Sequence, residues 1–102
     1  KEAESRGNEM RERFQRELAL WQDWWRDVLQ AGAGETQGLL NPDRAASLAE
    51  EGKLYRASEV VGFLRALLQT REYLQANVDA QLALEVLAMD VPQPRVASAA
   101  RP

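Results

Sequence analysis

The chain has 102 residues, room for a single domain, and its 45% hydrophobic and 28% charged residues are the balance of a globular protein rather than a disordered one. A formal net charge of −3, with basic residues alternating with acids as in Arg11-Glu12-Arg13, argues against a surface that grips nucleic-acid phosphate. Cysteine and histidine are both absent, which excludes disulfides, thiolate metal sites, Ser-His-Asp triads, Cys-His dyads and Glu-x-x-His di-iron bundles.

Four helices and no strand are predicted. The first spans about Met10 to Ala31, where Met10, Phe14, Leu18, Trp21, Trp25, Val28 and Leu29 recur at intervals of three and four. That spacing puts all seven on an arc of roughly 100°, one buried stripe that includes Trp21 and Trp25. Leu20, Trp24 and Ala31 form a second line to one side of it. This line receives either another helix of the same domain or a neighbouring subunit, and aromatic enrichment at interface hot spots keeps the second option open. Gly32 and Gly34 end the helix.

Asn41-Pro42-Asp43 is a helix-start signal, with Asn41 as cap, Pro42 in the first position and Asp43 against the positive helix end. Leu40 is expected to staple onto Ala45. This short second helix closes at Gly52, and Leu54–Ala57 offers a further turn. Ser58 is the expected cap of the third helix, which carries Val60, Val61, Phe63, Leu64, Leu67, Leu68 and Leu74 and stops near Ala76 or Asn77.

Arg71 falls inside that apolar arc. Either its carbon stem packs while the charged head reaches water, or it forms a partly buried ion pair with Glu85 on the fourth helix. That fourth helix, capped by Asp79, runs from Ala80 to about Asp90 and is ended by Pro92. It is apolar nearly all round: Leu82, Val86 and Met89 lie on one side, Ala83, Leu84 and Leu87 on the other. Such a helix is either the central rod of the bundle or has one face covered by a partner chain. Residues 93–102 are small, polar and flanked by proline, and a disordered tail is expected after a helical domain at 1–92.

No catalytic constellation is present. Gly32-Ala33-Gly34-Glu35-Thr36 lacks the Gly-Lys-Ser/Thr ending of a phosphate loop, and Glu50-Glu51 diverge on a helix. No catalytic residue, cofactor, metal or small-molecule substrate is expected. No apolar run approaches the roughly 20 residues of a membrane span. The cysteine-free composition suits a cytoplasmic location, and the opening at Lys1 reads as a piece excised from a longer protein.

Two stretches carry a family resemblance. One is Trp24-Trp25-Arg26-Asp27-Val28-Leu29-Gln30-Ala31-Gly32, followed by Leu40-Asn41-Pro42-Asp43. The other is Arg71-Glu72-Tyr73-Leu74-Gln75-Ala76-Asn77-Val78-Asp79-Ala80-Gln81-Leu82-Ala83-Leu84-Glu85-Val86-Leu87. Together, over roughly residues 14 to 91, they resemble the C-terminal collar region of the DNA polymerase III delta-prime clamp-loader subunits, with the gamma/tau collar a close relative. The sequence departs from that pattern by carrying Asp79 where proline is common. The resemblance implies an all-α collar of four to five helices that packs against other loader subunits (gamma/tau and delta) in a DNA-replication assembly whose ATPase module lies elsewhere. The alternative is a free-standing helical adaptor that holds a partner peptide in a groove. An enzyme would require a pocket of converging carboxylates.

Overall fold

The chain folds as an all-α bundle, and the computed structural model describes residues 2–76 and 79–95. Helix α1 spans Glu2–Gly32, two turns longer at its start than the apolar stripe predicts. The added residues are mostly good helix formers without an apolar rhythm, and periodicity registers only a helix's buried side. At 1.5 Å per residue α1 is about 46 Å long, and it sets most of the 54 Å long axis of the molecule. The thinnest dimension is 17 Å.

After α1 the chain turns through Gly34, whose φ of +89° is a left-handed conformation that a side chain would strain. A single 3-10 turn at Pro42–Arg44 leads into α2, Ala45–Gly52. That turn, rather than Leu54–Ala57, is the small fifth element. Asn41 does not cap it. Its side chain and its backbone N–H both donate to Asp27 Oδ2, at 2.9 and 2.8 Å. The staple residue is also shifted by one: Leu39 is buried beside Ala45, while Leu40 faces water.

Helix α3 spans Ala57–Gln75, with Arg56 rather than Ser58 at its N-cap. It runs antiparallel to α1, so Phe63 near its start meets Trp25, and Arg71 near its end meets Gln15. Two α1 side chains bind carbonyls near the α3 C-terminus, Arg11 donating to Leu74 O at 3.2 Å and Gln15 to Arg71 O at 2.8 Å. Helix α4, Ala80–Ala88, begins at Asp79, whose carboxylate accepts the Leu82 N–H at 3.2 Å, the cap that the sequence predicts.

The buried side chains form two clusters. One joins Leu18 of α1, Phe63, Leu67 and Leu74 of α3, and Leu87 of α4. The other joins Val28 and Ala31 of α1 to Leu39 and Leu48. Trp25 links them, with edge-on contacts to Tyr55 at 5.0 Å and Phe63 at 5.7 Å between ring centres. Trp21, expected in the core stripe, is instead 48% exposed. Its tilted contact with Phe63, 6.4 Å between ring centres, covers one side of the indole only.

Gly32 and Gly52 mark the crossing of α1 and α2. A Cβ on Gly52 would lie 2.5 Å from Gly32 Cα and 2.7 Å from the Val28 carbonyl oxygen. The two backbones therefore touch, so these glycines serve helix contact as well as helix termination. The chain after α4 is held longer than expected. Pro92 is buried, Gln93 N–H donates to Glu59 at 3.4 Å, and Arg95 N–H donates to Leu54 O at 2.6 Å. The expected disordered tail at 93–102 thus loses its first three residues to the fold; residues 96–102 lie outside the described part.

Candidate partner-docking surface

Helix α4 is apolar around most of its girth, yet the bundle covers only one side of it. Ala83 and Leu87 are buried against α3, and Ala80 and Leu84 are half-buried beside them. Leu82, Val86 and Met89 point away from the core and are 56%, 52% and 83% exposed. Their spacing of four and three residues places them in one line along the helix. The central-rod expectation is therefore corrected. A rod needs neighbours on all sides, and α4 lies at the margin of a molecule only 17 Å thick.

Between α4 and α1 runs an apolar groove of about 230 Å³ lined by Phe14, Leu18, Trp21, Leu84, Leu87 and Val91. Glu17 stands at its edge, 3.6 Å from the Arg13 guanidinium in an exposed pair that contributes little to stability. The exposed half of Trp21 belongs to this groove. Val91 follows the end of α4 and so falls outside its periodic pattern.

The second line on α1 divides. Ala31 is buried and Trp24 half-buried, both within the cluster formed with α2, and the Arg44 guanidinium lies 5.9 Å from the Trp24 ring centre. Leu20 alone remains open, 68% exposed. A helix of the same domain thus takes two of the three residues.

The Arg71–Glu85 ion pair does not form. Arg71 donates from Nε to Gln15 Oε1 at 3.1 Å and from a terminal nitrogen to Gln22 Oε1 at 2.7 Å, both on α1. Glu85 is exposed and accepts from Gln81 at 3.1 Å. Arg71 faces α1 and Glu85 faces water, so the guanidinium is satisfied by neutral amides instead of a carboxylate.

Among the described residues, the buried carboxylate is structural. Asp27 is 1% exposed, and its Oδ1 accepts the Leu40 N–H at 2.9 Å. Oδ2 accepts both donors of Asn41. Burial pushes this carboxyl up, but the Leu40 N–H, the Asn41 side chain, the Asn41 N–H and the nearby Arg26 charge outweigh it and hold it below the usual range. The charge pins the loop that carries Leu39 into the core. Among the described residues no group of His, Cys, Asp and Glu is arranged to hold a metal ion, and no helix is long and apolar enough to cross a membrane.

Comparison with protein-family models, with curated proteins and with solved structures finds no match to this chain.

Proposed function

We propose that this chain is a non-catalytic assembly module, which joins protein subunits by burying an open helix face. The observation that carries this reading is the outer side of α4, where three large apolar side chains, Leu82, Val86 and Met89, stand in line and more than half exposed. Leaving such a stripe in water forfeits about 25 cal/mol per Å² of the burial a partner would supply. The specific form we favour is a collar of the delta-prime type in a DNA polymerase III clamp loader, acting in cytoplasmic DNA replication beside gamma/tau and delta subunits. The Trp-Arg-Asp helix, the Asn-Pro-Asp turn and the Leu-Ala-Leu-Glu helix support it.

Co-purification of the chain with the other loader subunits tests this, with Leu20→Asp and Val86→Asp as variants. Assembly is expected for the parent chain and lost in Val86→Asp while its helical circular dichroism persists. A parent chain that stays apart from every loader subunit would remove the collar reading. The α1–α4 groove favours one rival, a free-standing adaptor that takes an apolar peptide there. Replacing Trp21 by aspartate separates the two, because only the adaptor depends on that groove.

A further inference from the structure

The docking face of α4 carries a charge signature that selects its partner. Asp79 stands at the start of the apolar line, Glu85 lies next to Val86 in sequence and faces water, and Asp90 follows Met89. Glu59 of α3, Met89 and Asp90 line one depression of about 380 Å³. From Glu72 to Pro94 the sequence holds four acids (Glu72, Asp79, Glu85 and Asp90) and no lysine or arginine. The rest of the chain holds 12 acids and 13 bases, nearly balanced, so this is where its net charge of −3 concentrates.

Resting on the assembly reading, we infer that the outer face of α4 receives an amphipathic helix whose apolar stripe is flanked by lysine or arginine. Helix-on-helix docking buries Leu82, Val86 and Met89, and the flanking cations meet Glu85, Asp90 and Glu59 around the rim. A second copy of this face is the wrong occupant, since it would bring the acids of residues 72–94, a stretch without lysine or arginine, against one another. An anionic membrane surface and a nucleic acid are disfavoured by the same sign of charge.

The probes are two 14-residue helical peptides, each with the same leucine stripe, one with lysine and the other with glutamate on its remaining positions. Fluorescence anisotropy of each labelled peptide is read against the full 102-residue chain. The lysine peptide is expected to bind at least about ten-fold more tightly than the glutamate peptide at low salt, with the gap closing near ~1 M salt. Val86→Asp should abolish that binding, and the double change Glu85→Lys with Asp90→Lys should reverse the preference; all three sites are exposed, so folding is spared. Equal affinity for the two peptides, binding of neither, or lysine-peptide binding indifferent to Val86→Asp would each overturn the inference. Equal affinity together with assembly lost in Val86→Asp defeats the charge selection alone. Selective lysine-peptide binding with subunit assembly untouched by Val86→Asp defeats the assembly reading instead.

Discussion

Asp27 and Arg71 are both charged residues that touch neutral partners, but their energetic roles differ. Asp27 is fully buried and holds three donors of the Leu40–Asn41 segment. Asp27→Asn keeps the shape but replaces one acceptor oxygen by a donor facing an N–H. A loss of about 2–3 kcal/mol in urea unfolding is expected, the range for a charge-assisted hydrogen bond broken with one partner left buried. The sign of the pH dependence follows from the depressed carboxyl. Its contribution is complete above the unfolded-state value, near ~4, and is lost as pH falls through the lower folded-state value. Stability of the parent chain should therefore fall more steeply below about pH 4 than that of Asp27→Asn, as equilibrium unfolding at a series of pH values will show. For Arg71 the partners are Gln15 and Gln22. Arg71→Ala is expected to cost about 1–2 kcal/mol, while Glu85→Gln stays within about 0.5 kcal/mol of the parent. Equal losses from the two changes, coupled in a double-mutant cycle, would reinstate the ion pair.

At the scale of elements, the α1–α2 crossing needs its glycine and the interior of α3 does not. Gly52→Ala drives a Cβ into Gly32 Cα and the Val28 carbonyl, both backbone atoms that cannot rotate away. The helices must part, and a loss of at least about 1–3 kcal/mol is expected by thermal or urea unfolding. Gly62 lies within α3 with open space where a Cβ would sit. Gly62→Ala should raise stability by about 0.5–1 kcal/mol, through helix propensity and a less flexible unfolded chain. The sequence marks Gly52 as a helix end and Gly62 as helix interior, but not that Gly52 also touches α1. Their difference lies in which backbone passes nearby, and that is a property of the packed pair of helices.

The whole molecule is a flat layer, 54 × 34 × 17 Å, with helices about 10–12 Å across including side chains. In so thin a body a helix that is apolar all round cannot be enclosed, and α4 meets water on its outer side. Replacing Leu82, Val86 and Met89 together by glutamine should leave the unfolding free energy within about 1 kcal/mol, because none of the three is buried, while raising solubility and removing partner capture. A large loss of stability on light-scattering-verified monomer would mean that this face belongs to the chain's own core.

Composition and periodicity determined the helical class, the absence of triad, thiolate and imidazole chemistry, the cap at Asp79 and the two-sided greasiness of α4, because each depends on residue type and local spacing alone. They placed the main helices to within a few residues, except at the start of α1, whose first turns carry no apolar rhythm. Tertiary structure alone decided that Ala31 and Trp24 are taken by α2, that Arg71 turns to α1 and not to Glu85, that Asp27 fastens Asn41, and that Gly32 meets Gly52. Each of these depends on the direction in which one helix crosses another. A one-dimensional pattern states how much surface a helix must hide but not which neighbour hides it.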